Sequence, residues 1–195
     1  MKLVLASTSK IRRHLLHNAG VKVILASPLV DEYELLAQNP TWEVSSIASN
    51  LAAAKALSVS NDAAGTTVIG ADQILIFNGK QIRKPSTIAE ARKQLIALRG
   101  SEHQLRTAIC CASEDKIIWH HVSDAKLQMR PFSDEFLDAY LDQIGTDALT
   151  SVGAYKLESL GIQLFETIAG DYFTILGLPL IPLLAFLRSQ GHLPT

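Results

Sequence analysis

The sequence predicts an α/β protein, with a mixed central sheet flanked by helices. Three observations support the fold class. An apolar run at 3–6 leads directly into a helical pattern, strand and helix patterns then alternate as far as Leu98, and two long strand patterns follow near 103–112 and 116–129. With 195 residues, 48% of them apolar, the chain is predicted to form one domain over residues 1–195.

The remaining elements follow from local signals taken in chain order. Helices are predicted from an N-cap at Ser9, from Asn39-Pro40 to about Ser58, from Thr87 to about Leu98, from Ser133 to about Ile144, and over 178–188. Further strands are predicted at 21–26 and 66–71, the latter ending in Asp72, and residues 153–165 read as strand-rich. Residues 27–40 are predicted to be a loop, and 73–82 a hairpin that turns at Asn78-Gly79.

Bulk properties exclude several classes of protein. A net charge of −1 does not indicate the extensive basic surface that is typical of proteins that bind nucleic acid. No apolar run is long enough to span a membrane, and the N-terminus lacks the pattern of a signal peptide. Cys110 and Cys111 are adjacent in an apolar stretch, which indicates reduced thiols in or near the core. We therefore expect a cytoplasmic protein with neither a nucleic-acid nor a membrane partner.

The first helix begins with a pattern that suits an anion. Ser7 and Ser9 supply hydroxyls where the helix starts, and Arg12 and Arg13 fall in its first turns. Cations at this end face the positive pole of the helix dipole, which is unfavourable unless an anion lies between them. The segment therefore predicts a phosphate cradle, and a surface helix with its arginines in water is the alternative.

Carboxylates and lysines in separate segments could complete such a site. Asp72 follows a buried strand, and Asp31-Glu32 follow another strand, so their oxygens could bind Mg²⁺ together with substrate phosphates. Lys55 lies in an alanine-rich helix and Lys84 follows the hairpin, and either could neutralise phosphate. The alternatives are a turn residue at Asp72, a solvated loop at Asp31-Glu32, and solvated lysines.

Several ordered motifs resemble those of the Maf family of nucleoside triphosphate pyrophosphatases, over about residues 5–187. The motifs are Ala6-Ser7-Thr8-Ser9 with Arg12, Asp31-Glu32, Lys55-Ala56, Gly70-Ala71-Asp72, Lys84-Pro85, Gly153-Ala154-Tyr155, Gly170-Asp171-Tyr172 and Gly177-Leu178-Pro179-Leu180. Their shared order and separations are far more specific than any one of them.

The resemblance implies an α/β fold with a central, nucleotide-binding cleft. It implies hydrolysis of a nucleoside triphosphate between its α- and β-phosphates, dependent on a divalent cation such as Mg²⁺ or Mn²⁺. It implies acidic, metal-binding roles for Glu32 and Asp72, with Asp72 as the base that activates water. Members of the family are often dimeric, so a homodimer is an expected assembly. The phosphate-binding positions that it implies are Ser7, Ser9, Arg12, Lys55 and Lys84.

Two departures from the family pattern bear on the substrate. Lys10, Ile11 and Arg12 stand where the family usually has Pro-Arg-Arg, so one arginine is missing, and Lys10 or Arg13 could partly replace its charge. Gln73 and Glu158 are similar to the branch that acts on 7-methyl-GTP, although that branch often has tryptophan at the position of Ile11.

We therefore expect a housekeeping enzyme that removes non-standard nucleotides and prefers a guanine-type base, which Gln73 and Glu158 would contact. Glu158 could instead pair with a cation such as Lys156. The alternatives for function are a dTTP/UTP pyrophosphatase and a nucleotide-binding regulator of cell division with little turnover.

Overall fold

A computed structural model describes residues 2–60 and 65–194 of the chain. It confirms the α/β class. The strands are β1 Lys2–Ala6, β2 Ile24–Ala26, β3 Thr66–Phe77, β4 Lys80–Ile82, β5 Glu102–Ser113, β6 Lys116–Met129 and β7 Phe165–Ala169. The α-helices are α1 Lys10–Asn18, α2 Glu32–Gln38, α3 Val44–Leu57, α4 Ile88–Leu98, α5 Asp134–Ile144, α6 Tyr172–Ile175 and α7 Leu180–Ser189. Short 3₁₀ helices cover Gly145–Thr150, Val152–Ala154 and Leu160–Leu164.

The strands form one mixed sheet in the order β2-β1-β3-β5-β6-β7, with β4 paired to β3. β1 runs parallel to β2 and β3, whereas β4 is antiparallel to β3 and β7 is antiparallel to β6. The parallel pairing of β3 ends at Gly70, and its antiparallel pairing begins at Leu75. Asp72 therefore lies between the two pairings, inside one continuous strand. The prediction that the strand ends at Asp72 is wrong, because the backbone stays extended as β3 changes partner.

The described residues divide into two compact units. One contains Met1–Gln73, Arg106–Ser123 and Tyr172–Thr195, and the other contains Ile74–Leu105 and Asp124–Asp171. Each unit has its own buried apolar side chains, with Leu5, Leu16, Leu51, Ile69 and Ile109 in the first and Leu95, Leu98, Leu105, Leu127 and Met129 in the second. A single domain over the whole chain stays a prediction.

The segment between β2 and α3 differs from the prediction. The expected loop at 27–40 contains α2, because Asp31 caps it by accepting a hydrogen bond from the backbone N–H of Glu34 (3.0 Å). Asn39 ends α2 instead of starting the next helix, and its side chain donates to the Leu35 carbonyl (2.8 Å). The next helix, α3, begins only at Val44.

Residues 153–165 are also not strand-rich. Gly153 and Ala154 both have positive φ, at 76° and 58°, which no strand accommodates. A Cβ at Gly161 would lie 2.4 Å from the Lys156 carbonyl oxygen, so the chain folds tightly back on itself here. The region contains parts of two 3₁₀ helices, Val152–Ala154 and Leu160–Leu164, and β7 begins at its last residue.

The local turn and cap signals elsewhere are confirmed. Asn78 and Gly79 both adopt positive φ (50° and 72°), as a two-residue hairpin turn requires. Thr87 and Ser133 cap α4 and α5 through their hydroxyls. The second strand is shorter than predicted, at three residues.

The second unit contains a buried polar pair. The ring of His103 is 2% exposed, and its Nε2 lies 2.7 Å from the Tyr155 hydroxyl oxygen. Its Nδ1 has no hydrogen-bond partner among the described residues. Burial lowers the pKa of His103 to about 4, so the imidazole is neutral at physiological pH.

Both cysteines are free and buried, and burial raises the pKa of the Cys110 thiol to about 11. Among the described residues, no helix has both the length and the apolar character that a membrane span needs.

Candidate active site

The candidate site is built where α3 packs on β3, and Gly70 sets their separation. A Cβ at Gly70 would lie 2.3 Å from the Ala52 carbonyl oxygen and 2.6 Å from the Ala56 backbone nitrogen. Only a residue without a side chain allows this approach of the two backbones. The close packing places Lys55 of α3 opposite Asp72 of β3.

Lys55 is the buried centre of the site. Its Nζ donates to Asp72 Oδ1 at 2.6 Å and lies 2.6 Å from Glu32 Oε1. Lys55 is 7% exposed and Asp72 6%, whereas about half of the Glu32 side chain is exposed. The structure therefore brings together three of the predicted residues, from α2, α3 and β3. Asp31, beside Glu32, serves as the α2 cap instead.

Burial and nearby cations have opposite effects on the pKa of the Asp72 carboxyl. Burial raises the pKa of the Asp72 carboxyl, while the charges of Lys55 and Arg12 act to lower it. The net direction is upward, which moves this carboxyl towards the range in which a general base is effective.

Arg12 does not point into water. Its Nε donates to the Gly177 carbonyl (2.7 Å), and its Nη1 donates to the Ala71 carbonyl (2.8 Å) and approaches the Ser7 hydroxyl (3.4 Å). Burial lowers the pKa of Arg12, and the charges of Asp72 and Glu32 oppose that change. These carbonyls and carboxylates explain how a cation is tolerated at the start of α1. Among the described residues, Nη2 donates no hydrogen bond.

A shallow cavity of about 190 Å³ opens at the N-terminus of α1. Its lining consists of residues 7–10, Arg13 and residues 25–27. Ser9 caps the helix by accepting from the backbone N–H of Arg12, and the Ser7 hydroxyl accepts from the backbone N–H of Ser9. Arg13 is exposed at this cavity, whereas Ile11 is half-buried on the helix. Arg12 and Arg13 thus have different surroundings, as the 100° turn between neighbouring helix residues requires.

Gln73 is held in one orientation. Its Nε2 donates to Thr107 Oγ1 (2.8 Å) and to the carbonyls of Thr174 (2.9 Å) and Ile175 (3.0 Å). Its Oε1 accepts no hydrogen bond within the described residues and is not sealed from solvent. Only the acceptor of the Gln73 side chain is open to a base, because its donors are already bound to the protein.

Two predicted site residues lie in the second unit, and each is exposed. Lys84 follows β4, and Glu158 lies in a turn before the last 3₁₀ helix. Lys156 pairs with Asp147 at 2.9 Å, so it does not pair with Glu158. Neither Lys84 nor Glu158 has a hydrogen bond or ion pair within the residues that the structure describes.

Sequence reasoning did not assign roles to Thr107 and Gly177. Thr107 is fully buried, accepts from Gln73 and donates to the Thr174 carbonyl (2.9 Å). A threonine in the middle of a strand carries no signal of this role. Gly177 has a φ of 88°, and a Cβ there would lie 3.4 Å from Arg12 Nη2 and 3.8 Å from Gln73 Oε1. The Gly-Leu-Pro-Leu motif marks this position, but not its contact with Arg12.

The carboxylates around Lys55 determine whether a metal ion could bind at this site. Within residues 2–60 and 65–194, no group of three or more His, Cys, Asp or Glu side chains is arranged to hold a metal ion. Two carboxylate oxygens, from Glu32 and Asp72, lie on one shared cation, the Lys55 ammonium. Mg²⁺ is commonly held by one or two carboxylates together with substrate phosphates and water, and this oxygen pair fits that pattern.

Fold and site together define an α/β protein with a buried carboxylate–ammonium cluster close to a serine-capped helix. The family model described as Maf-like protein matches residues 2–190. The nucleoside triphosphate pyrophosphatase of Caulobacter vibrioides is 49% identical over 98% of this chain and 96% of its own length. The 7-methyl-GTP pyrophosphatase of Brucella abortus is 46% identical over 97% of this chain and 96% of its own length.

The chain belongs to the Maf family. Among solved structures, it is similar to the Ham1 protein of Staphylococcus aureus, with 18% identity, a TM-score of 0.41, and coverage of 66% of this chain and 72% of that one.

Proposed function

We propose that this protein hydrolyses nucleoside triphosphates to the monophosphate and pyrophosphate. The observation that carries the proposal is the buried cluster of Lys55, Asp72 and Glu32, with Nζ 2.6 Å from an oxygen of each carboxylate. Family membership and near-full-length relatives that are named pyrophosphatases support the same activity.

Asp72 is the proposed general base. It accepts a proton from the water that adds across the α–β anhydride, and pyrophosphate leaves as that bond breaks. Burial raises its pKa, which brings its basicity closer to what proton transfer near neutral pH needs. In the protein without ligands, the contact with Lys55 favours the ionised form of this carboxylate and orients it.

The phosphate chain is the proposed ligand of the cationic groups. The N-terminus of α1, with Ser7 and Ser9, offers backbone N–H groups and hydroxyls to phosphate oxygens. Arg12 offers its Nη2 donors from a guanidinium that two carbonyls already hold in place. Lys55 and Lys84 would add charge, which stabilises the developing pyrophosphate.

Glu32 and Asp72 are the proposed ligands of a divalent cation, Mg²⁺ or Mn²⁺. When bound, such an ion neutralises phosphate charge and activates water. The two carboxylates supply the hard oxygen donors that these ions prefer.

The preferred substrate is proposed to carry a guanine-type or modified purine base. The acceptor of Gln73 and the exposed carboxylate of Glu158, which has no partner among the described residues, both suit N–H donors on a base edge. The 7-methyl-GTP pyrophosphatase of Brucella abortus, 46% identical, supports this choice. A role in removing non-standard nucleotides in the cytoplasm, and assembly as a homodimer, belong to the same proposal.

The Asp72→Asn variant tests the proposed chemistry. It preserves side-chain shape and removes the base, so turnover should fall by roughly two orders of magnitude or more. Pyrophosphate release would be measured alongside circular dichroism, to confirm that the variant is folded. An Asp31→Asn variant provides a matched control, since Asp31 caps α2 without meeting Lys55, and it should retain most of the turnover. Turnover close to wild type in folded Asp72→Asn protein would remove Asp72 from this role.

A further inference from the structure

The ammonium of Lys55 contacts the carboxylates of both Asp72 and Glu32. It lies 2.6 Å from Asp72 Oδ1 and 2.6 Å from Glu32 Oε1. These distances are slightly shorter than the usual range of about 2.7–2.9 Å for a charge-assisted hydrogen bond between an ammonium and a carboxylate. Another cation that bridged the two oxygens from the same position would replace the ammonium, because both cannot fill one position.

The backbone around Lys55 is closely packed. Gly70 brings β3 so close to α3 that even a methyl group would overlap the Ala52 carbonyl and the Ala56 nitrogen. Rotation of the lysine side chain, whose four-carbon stem allows it, can displace the ammonium without any movement of that backbone. Glu32 is about half exposed and can adjust, whereas Asp72 is buried and fixed.

A displaced ammonium would need a new anionic partner. Lys55 is 7% exposed, and a buried cation without a counter-charge is strongly unfavourable. Once a divalent ion has taken both carboxylate oxygens, the anion that remains to pair with Lys55 is the phosphate chain of the substrate. Binding of the metal would thus release the group that binds phosphate.

We propose that Lys55 is the resident cation of the Glu32–Asp72 pair, that a divalent metal displaces it, and that the released ammonium then binds phosphate. This inference rests on the proposed function and adds a linkage within the same site. Binding of the metal and binding of phosphate therefore strengthen each other. In the protein without ligands, the Lys55 ammonium occupies the position that the metal would take.

Calorimetric titration with Mn²⁺, without nucleotide, tests the exchange. The Lys55→Gln variant loses the competing charge, so it should bind Mn²⁺ at least about tenfold more tightly than the wild-type protein. Lys116→Gln, which removes one charge from an exposed lysine at the start of β6, should bind like the wild type. Adding Asp72→Asn to Lys55→Gln should abolish the gain. Equal or weaker Mn²⁺ binding by folded Lys55→Gln protein would overturn the proposal, because Lys55 would then stay in place beside the metal.

A second measurement needs no variant. The ¹⁵N–H signal of the Lys55 ammonium should move when the wild-type protein receives Mg²⁺ and pyrophosphate, while the Lys116 signal stays unchanged. An unmoved Lys55 signal would also overturn the proposal. The proposed function is tested separately by pyrophosphate release from nucleotides. An absence of turnover together with tighter Mn²⁺ binding by Lys55→Gln would reject the function and keep the exchange.

Discussion

Replacing Gly70 by alanine should separate the two elements that form the site. The new Cβ would lie 2.3 Å from the Ala52 carbonyl oxygen, whereas real Cβ atoms stay at least 3.0 Å away, so α3 and β3 must move apart by about 0.7 Å. A rigid shift of that size would lengthen the 2.6 Å contact between Lys55 Nζ and Asp72 Oδ1 to about 3.3 Å. That exceeds the range of a charge-assisted hydrogen bond, about 2.7–2.9 Å.

Two quantities should change in Gly70→Ala. The backbone shift that relieves this overpacking should lower the free energy of unfolding by about 1–3 kcal/mol. Displacement of the catalytic pair by nearly 1 Å should reduce kcat by about a hundredfold. Urea unfolding measures the first, and pyrophosphate release by protein shown to be folded measures the second.

Gly65→Ala is the matched control. Gly65 lies just before β3 at a φ of 78°, and a Cβ there would meet nothing within 4 Å. The substitution should lower stability by about 1 kcal/mol through backbone strain and leave kcat unchanged. If Gly70→Ala lost stability but retained its kcat, the spacing of α3 and β3 would not control catalysis. Unchanged stability would refute the packing argument itself.

Three further predictions concern other parts of the chain. Arg12→Ala should lower kcat/KM by about ten- to a hundredfold, by a similar factor for every nucleotide, because it removes charge-assisted phosphate contacts; a change in base preference alone would contradict the phosphate role. Glu158→Gln should lower activity on guanine-type substrates more than on pyrimidines in a nucleotide panel, and an equal loss on both would contradict the base role.

The third concerns His103, whose pKa of about 4 when folded lies below its value of 6.5 when unfolded, so its contribution to stability is complete above pH 6.5 and is lost as the pH falls towards 4. Urea unfolding should show about 2 kcal/mol lost from this group between pH 8 and pH 5. The same loss in His103→Gln would assign that pH dependence to other groups.

Local signals in the sequence predicted much of the fold. The Asn78-Gly79 turn and the caps at Ser9, Thr87 and Ser133 depend on neighbouring residues alone, and the structure confirms them. The cap signal of Asp31 is equally local, since its partner Glu34 lies three residues later, and α2 could have been predicted from it.

The remaining differences come from long-range packing. Residues 153–165 carry apolar side chains that suit a strand, but positive φ at Gly153 and Ala154 imposes 3₁₀ turns. The strand that contains Asp72 continues to Phe77 because it pairs with β1 and then with β4. The Asn78-Gly79 signal predicted the second pairing, but no local pattern shows that both pairings belong to one continuous strand.

The candidate site was likewise predicted only in part, because its contacts depend on tertiary packing. Residue types and motifs predicted Glu32, Lys55 and Asp72 as members, but not that one ammonium bridges both carboxylates. That contact joins residues from α2, α3 and β3, so it depends on the tertiary packing of those elements. The orientation of Gln73 is likewise set by Thr107, which lies 34 residues away in sequence.

Analysis of the products formed from a panel of nucleoside triphosphates tests the central claim most directly. The protein would be incubated with 7-methyl-GTP, GTP, ITP, dTTP and UTP, with Mg²⁺ or Mn²⁺ present, and pyrophosphate, orthophosphate and monophosphate would be counted. The account predicts equal amounts of monophosphate and pyrophosphate, dependence on the metal, and faster turnover of guanine-type bases than of dTTP or UTP. Release of orthophosphate and a diphosphate, or tight binding of nucleotide without turnover, would contradict it.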